Sequence, residues 1–108
     1  MPTGSFLGEF EHLVLLTVLQ LKDEAGALDI RRHLKSAVDR GVSRGALYAT
    51  LERLERKGLL TWKTEEASPS RGGIPRRLFV VTEQGLEAVR ISQSAIATLS
   101  AGLEKALG

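Results

Sequence analysis

The residues of this chain best suited to chemistry are arginines, one tyrosine and one serine, and the chemistry they suit is binding of phosphates and base edges. Ser43, Arg44 and Tyr48 lie close together in the sequence. An arginine can hold a guanine edge or a phosphate, and a tyrosine hydroxyl can donate to a phosphate. Arg53 is a further candidate, although it could equally pair with acidic neighbours on its own helix. The structural alternatives are a helix cap at Ser43, a surface arginine at Arg44 and a core-edge tyrosine at Tyr48.

A second group of arginines, Arg71, Arg76 and Arg77, lies in and beside a segment rich in Ser, Gly and Pro. Because this segment contains no acid to pair with, we expect these side chains to bind phosphates or the minor groove rather than form an internal salt bridge. Two adjacent glycines in the segment favour a deformable loop.

Charge along the chain is strongly segregated. Residues 31–77 hold twelve Lys or Arg and five Asp or Glu, a net charge of +7, whereas the rest of the chain holds three bases and eight acids, a net charge of −5. A basic middle between acidic ends indicates a face that binds a polyanion, with an ordinary solvated surface as the alternative.

Several classes of function are excluded or disfavoured. The chain has 108 residues, no cysteine and two histidines, which predicts one domain without disulfides, thiolate metal sites or a metal centre of any kind. No phosphate-binding glycine loop and no Ser–His–Asp set can be argued, so we expect no enzyme activity and no cofactor. The sequence shows no membrane span and no signal peptide, and we expect a cytoplasmic protein that does not bind membranes.

Hydrophobic periodicity and turn residues predict the elements that position the basic side chains. Helices are expected at 9–21, at about 27–39 with a C-cap at Gly41, at 43–57 with Ser43 as its N-cap, and from 83 to about 107. Strands are expected at 59–65 and 76–81, joined by the basic loop. The inner face of the second helix is predicted to contain Leu28, Ile30, Leu34 and Val38.

Two apolar patterns predict a homodimer. The first helix carries more apolar side chains than one stripe needs, and the last helix carries a heptad-like seam that a small domain has no means of covering. The candidate dimerisation residues are Phe10, Leu13, Leu16, Val89, Ile96, Leu99 and Leu103. We therefore predict a DNA-binding domain over residues 1–82 and a C-terminal dimerisation helix over residues 83–108.

Three helices, a two-stranded hairpin with a basic tip and a final helix predict a winged helix-turn-helix, a mainly α (α+β) fold. The third helix would then enter the major groove of double-stranded DNA, and the hairpin, or wing, would reach the adjacent minor groove or phosphates.

The residues also resemble a known family. The stretches Gly8-Glu9-Phe10-Glu11-His12-Leu13-Val14-Leu15-Leu16 and Leu47-Tyr48-Ala49-Thr50-Leu51-Glu52-Arg53-Leu54, followed by Gly58-Leu59-Leu60 and later by Thr82-Glu83-Gln84-Gly85, are similar to PadR-type transcriptional regulators over about residues 8–90. The resemblance implies a homodimeric repressor that responds to a ligand or stress, in a compact subgroup with one C-terminal helix. The sequence departs from it at Ala25, where a tyrosine is common.

Together these observations predict a dimeric repressor that binds a palindromic operator and is released by a small-molecule effector. Trp62 either packs its strand on the domain or lines an effector pocket together with Ser92 and Gln93. The alternative function is a winged-helix module that docks a protein. Exposed apolar anchors on the third helix would favour docking, whereas exposed arginines favour DNA.

Overall fold

In a computed structural model, which describes residues 6–65 and 75–108, the elements follow the predicted order. The helices are α1 (Glu9–Leu21), α2 (Ala27–Val38), α3 (Arg44–Arg56), α4 (Glu83–Ser100) and a short α5 (Glu104–Leu107), and the strands are β1 (Leu60–Glu65) and β2 (Arg76–Val81). A single 3-10 turn, Lys22–Glu24, separates α1 from α2. This arrangement confirms a helix-rich winged helix-turn-helix with a two-stranded wing, β1 and β2.

The first helix is the centre of the fold. It contacts α2, α3, α4 and β2, and Val14 and Leu15 are completely buried. The chain itself therefore covers most of α1, and the contribution of this helix to a dimer stays a prediction. Phe10, Leu13 and Leu16 remain partly buried, packed at the margin of the core.

The second helix differs from its predicted face and cap. Ile30 and Leu34 are buried, but Leu28 and Val38 are largely exposed, so the predicted inner face is only half right. The left-handed residue at its end is Asp39 (φ 54°, ψ 38°) and not Gly41. Aspartate tolerates this conformation, and it allows the Arg40 N–H to donate to the Leu34 carbonyl at 3.0 Å.

The wing is joined to the helices at both ends. Its antiparallel register runs from Leu60 opposite Val81 to Glu65 opposite Arg76. Phe79 is buried, and its N–H donates to the Ala25 carbonyl at 2.9 Å, so β2 lies along the turn that precedes α2. The root of the wing is therefore part of the core.

The fourth helix begins as predicted and ends earlier than predicted. Thr82 is its N-cap and accepts from the Gly85 N–H at 3.0 Å. The helix stops at Ser100, because the chain turns at Gly102 (φ 82°), and Leu103 lies outside α4. One continuous helix to about Leu107, carrying the whole heptad-like seam, is therefore wrong.

The seam also divides by burial. Val89 and Ser92 are buried against the body of the domain, whereas Ile96, Leu99 and Leu103 are exposed, Leu99 to 79%. The first turns of α4 thus belong to the body, although the predicted domain boundary fell at Thr82. None of the helices in the described parts of the chain is long and apolar enough to cross a membrane.

Candidate nucleic-acid interface

The N-terminus of α3 is built to present an exposed face. The Ser43 hydroxyl accepts from the Ala46 N–H at 3.1 Å, which satisfies one of the unpaired amides of the first turn. Leu47, Leu51 and Leu54 anchor the opposite side of the helix in the core. The predicted cap at Ser43 is confirmed, and the outer side of the first turn is left open to solvent.

Arg44 and Tyr48 lie one turn apart on this open side. Arg44 is exposed and has no ion pair within the described residues. Tyr48 is 41% exposed, so it is not enclosed in the core. Gly45, between them, has open space where a side chain would stand. A surface with one cation, one hydroxyl and little steric bulk suits close approach to a nucleic-acid groove.

A groove of about 780 Å³ lies between the start of α2, Tyr48 and the start of β2. We call it the wing groove. It brings together three of the predicted binding residues, Tyr48, Arg76 and Arg77, although they are distant in the sequence. Its full lining is Gly26, Ala27, Leu28, Asp29, Arg32, Tyr48, Pro75, Arg76, Arg77 and Phe79.

Arg77 is held in place by an aromatic ring. Its guanidinium lies over the Trp62 ring, 4.3 Å from the centroid. The Trp62 indole N–H in turn donates to Glu55 Oε2 at 3.0 Å, and Glu55 belongs to α3. A cation stacked on an aromatic face loses little of its capacity to bind an anion at its edge. Trp62 therefore links the wing to α3 and orders Arg77.

These contacts leave the predicted effector pocket without support. Trp62 is engaged with Arg77 and Glu55, whereas the buried Ser92 hydroxyl accepts from the Leu7 N–H at 3.0 Å. Gln93 is exposed on α4. The described structure thus gives Trp62 and Ser92 separate structural partners, because the pattern that suggested a cavity arises from two different packing sites.

Arg76 requires a correction, because it is part of an internal ion-pair cluster. It donates to Glu65 Oε1 at 2.8 Å, to Asp29 Oδ2 at 2.6 Å and to Glu24 Oε1 at 3.0 Å, and its side chain is only 23% exposed. The hydrogen bond to Glu65, opposed by burial and reinforced by the charge of Asp29, raises the pKa of Arg76. The sequence predicts no acid beside Arg76, because Glu24 and Asp29 are distant from it in the chain.

Arg53 also has an internal partner, which is neither of the acidic neighbours on its own helix. Its Nε donates to Glu11 Oε2 at 3.1 Å, and Lys57 Nζ donates to the same oxygen at 2.9 Å. Burial raises the pKa of Glu11, but the hydrogen bonds from Lys57, Arg53 and the Gly8 N–H outweigh it and hold the pKa below its usual range. Glu11 thus joins α1 to α3, and Arg53 serves this contact.

Arg32 is a candidate that the sequence analysis missed. It is exposed, has no ion pair within the described residues, and lines both the wing groove and a second groove of about 470 Å³. The second groove runs along α2 beside Arg31, Lys35 and Val42. Arg31 donates to the Val42 carbonyl at 3.1 Å and so braces the turn before α3. The signal was the basic outer face of α2. Arg71, by contrast, lies outside the described residues.

Comparison with known proteins agrees with this arrangement. The family model described as the transcriptional regulator PadR-like family matches residues 15–91. A PadR-like transcription factor from Bacteroides fragilis is 28% identical, with a TM-score of 0.71 over 89% of this chain and 87% of the other. A PadR family regulator from Clostridium difficile is 22% identical, with a TM-score of 0.75 over 94% and 100% of the two chains.

A third structure shows how far the fold extends beyond the family. A winged-helix DNA-binding protein from STIV is 14% identical, with a TM-score of 0.69 over 90% of this chain and 97% of the other. No curated protein gave a significant match. Since the family model covers well over half of the chain and the PadR-like structures cover nearly all of it, this chain belongs to the PadR-like family of transcriptional regulators.

Proposed function

We propose that this protein is a dimeric repressor that binds a palindromic DNA operator through the N-terminus of α3 and β2 of the wing. The observation that carries the proposal is the wing groove, where Tyr48, Arg77 and Arg32 from three different elements surround one cleft beside the exposed Arg44. Family membership supports DNA binding as the activity.

Each side chain has a distinct role in this proposal. Arg44, in the first turn of α3, reaches a base edge in the major groove, because side chains at the start of a recognition helix point into the groove. Tyr48, Arg77 and Arg32 bind backbone phosphates and fix the register. Arg53 and Arg76 act inside the protein, since both are engaged with carboxylates.

The second copy is proposed to dock at the end of α4. Ile96, Leu99 and Leu103 are exposed in the single chain, and Leu107 follows them on α5. Apolar side chains grouped at one end of a small domain favour burial against a symmetric partner. Two recognition helices related by a two-fold axis would meet half-sites roughly one helical turn, about 34 Å, apart.

Repression would be steric, because a dimer on the operator excludes polymerase. An effector would release the dimer from the operator at a site other than Trp62, because the Trp62 ring is already stacked under Arg77.

A gel shift with DNA from upstream of the protein's own gene tests the activity. We expect a discrete complex at moderate salt with one dimer per palindrome, and weaker binding to a scrambled duplex of equal length. Equal binding to both duplexes would contradict a sequence-specific regulator. No binding to either, combined with capture of a protein partner by α3, would favour the docking module.

A further inference from the structure

The outer end of the described ladder carries a cluster of one arginine and three acids on a surface otherwise suited to DNA. We call Arg76 with Glu24, Asp29 and Glu65 the Arg76 latch. Its three carboxylates come from the turn before α2, from α2 itself and from β1. Asp29 and Arg76 both line the wing groove, so an acid stands beside the side chains proposed to bind phosphates. A surface built only to attract phosphates would not retain these acids.

The backbone beneath the latch is fitted to it. Gly26 has an ordinary negative φ of −76°, so its conformation does not require glycine. A Cβ at this position would stand 2.8 Å from Asp29 Oδ2 and 3.2 Å from an Arg76 nitrogen. A side chain at position 26 would therefore displace the Arg76–Asp29 pair, and the absence of one keeps the space that the pair occupies.

The position of the latch in the hairpin indicates what it does. Leu78 and Phe79 are buried and hold the inner part of β2, whereas Glu65 opposite Arg76 is the last pair of the described ladder. Arg77 is the next residue, and because successive side chains of a strand point to opposite faces, fixing Arg76 fixes the side on which Arg77 stands.

We propose that Arg76 is a positioning residue for DNA binding, which anchors the outer end of the wing to the start of α2 so that Arg77 faces the wing groove. This inference rests on the proposed function for its effect on DNA, but not for its effect on the wing. The side chain of Arg76 acts through the latch, and Arg77 makes the contact with phosphate.

For one substitution, the positioning role and simple electrostatics predict changes of opposite sign in DNA affinity. Asp29→Asn removes a negative charge, so a purely electrostatic surface would bind DNA more tightly. If the latch positions the wing, the variant binds more weakly, roughly tenfold, because the wing must first be ordered, while the slope of log affinity against log salt is unchanged, because Arg77 still contacts its phosphate in the complex. Glu52→Gln is the matched control, because Glu52 is exposed on α3 with no ion pair among the described residues, and it should bind as the wild type or more tightly.

Two neighbouring arginines separate positioning from contact. Arg76→Gln and Arg77→Gln each remove one charge from the same strand. Arg77→Gln should lower the salt slope by about 0.9 per subunit, as expected for one lost phosphate contact. Arg76→Gln should weaken binding, because the wing has to be ordered on binding, and leave the slope unchanged, because Arg77 still reaches its phosphate in the complex. A lower slope for Arg76→Gln would make it a phosphate contact and overturn the proposal.

Trp62 reports the wing without DNA, since it is the sole tryptophan and lies directly under Arg77. Its emission should shift to the red in Asp29→Asn and Arg76→Gln and stay unchanged in Glu52→Gln. If either latch variant fails to fold by circular dichroism, Glu24→Gln replaces it, because Glu24 is a mostly exposed member of the latch.

The outcomes separate the two proposals. A wild-type protein that binds no DNA contradicts the proposed function. In that case the shift in Trp62 emission still tests whether the latch positions the wing. An unchanged Trp62 emission in folded latch variants, or Asp29→Asn that binds DNA as tightly as the wild type, overturns the latch.

Discussion

Glu11 is the residue in which local and long-range roles are most closely combined. One carboxylate oxygen accepts from the Gly8 N–H at 3.3 Å at the start of its own helix, and the other accepts from Arg53 of α3 and from Lys57 at the C-cap of α3. The side chain is only 8% exposed. A buried carboxylate in this setting is costly to protonate, because its two cations would lose their shared acceptor.

Glu11→Gln should reveal this cost through the pH dependence of stability. Since the folded state lowers the pKa of Glu11, its contribution is fully present above the ordinary glutamate pKa of about 4.3 and is lost as the pH falls through the lower folded value. We expect a loss of about 1–2 kcal/mol in the free energy of unfolding at pH 7, because the partners are half exposed. Urea unfolding from pH 7 to pH 2.5 measures it.

The difference between wild type and Glu11→Gln should shrink below pH 4.3. Glu9→Gln is the control, because Glu9 is a solvent-exposed acid in the same first turn as Glu11 and pairs with Arg40. A difference for Glu11→Gln that stays constant down to pH 2.5 would show that the lost stability comes from packing and not from the charge.

Arg44 and Tyr48 separate base recognition from phosphate contact. Arg44→Ala should cost about 1–3 kcal/mol of binding free energy on the operator and less on a scrambled duplex. Tyr48→Phe should cost about 1 kcal/mol on both, since it removes only a hydroxyl. Affinities of both variants at one salt concentration measure this, with Arg90→Ala on α4 as a surface control. An Arg44→Ala variant with full operator preference would place base recognition elsewhere on α3 or on the wing.

The wing and α4 approach each other closely where they join, at a glycine. Thr82 caps α4 and also donates from its hydroxyl to the Gly58 carbonyl at 2.7 Å. A Cβ at Gly85 would stand 2.2 Å from the Leu59 carbonyl oxygen, so α4 can lie this close to β1 only without a side chain there. The junction fixes the direction in which α4 leaves the domain.

Gly85→Ala should therefore destabilise the domain by about 2–3 kcal/mol or more, because backbone has to move to relieve the overlap. The matched control is Gly41→Ala, since Gly41 has open space around it and no positive φ, and the substitution should be neutral or slightly stabilising. Thermal unfolding of both variants is the measurement. Equal melting temperatures would mean that the α4 junction adapts without cost.

In the molecule as a whole, the exposed apolar group at the end of α4 lies on a different element from the arginines that form no ion pair among the described residues. Ile96, Leu99 and Leu103 follow the buried part of α4, whereas Arg32, Arg44 and Arg77 belong to α2, α3 and β2. This separation suits a dimer in which the α4 ends meet and both DNA-binding faces stay accessible.

Ile96→Lys with Leu99→Lys should convert the dimer to a folded monomer, because two charges at the centre of the proposed interface would lose their hydration on association. The mass measured by sedimentation should fall from about twice the chain mass of 11.7 kDa to the mass of one chain. Val38→Lys is the control, since Val38 is exposed to a similar degree on α2. A wild type that sediments as a monomer at micromolar concentration contradicts the dimer.

The helices, the strand pair and the basic middle of the chain could be predicted from the sequence alone. The helix caps at Ser43 and Thr82 follow from residues close to them in the chain, and hydrophobic spacing over a few residues predicts a helix or a strand. Leu47, Leu51 and Leu54 follow the helical spacing of α3, and all three are buried. The winged helix-turn-helix and the exposed positions of Arg44 and Tyr48 were predictable for this reason.

Which arginines are available to bind DNA depends on the tertiary structure. Arg76 and Arg77 are adjacent in the sequence, yet one is enclosed by acids from three elements and the other is stacked on Trp62. Arg53 met Glu11, forty-two positions away, rather than an acid on its own helix. Such partners come together only when distant segments of the chain pack against each other. The strength of a charge pair depends on the distance between the two groups in space, and the number of charges along the chain does not give that distance.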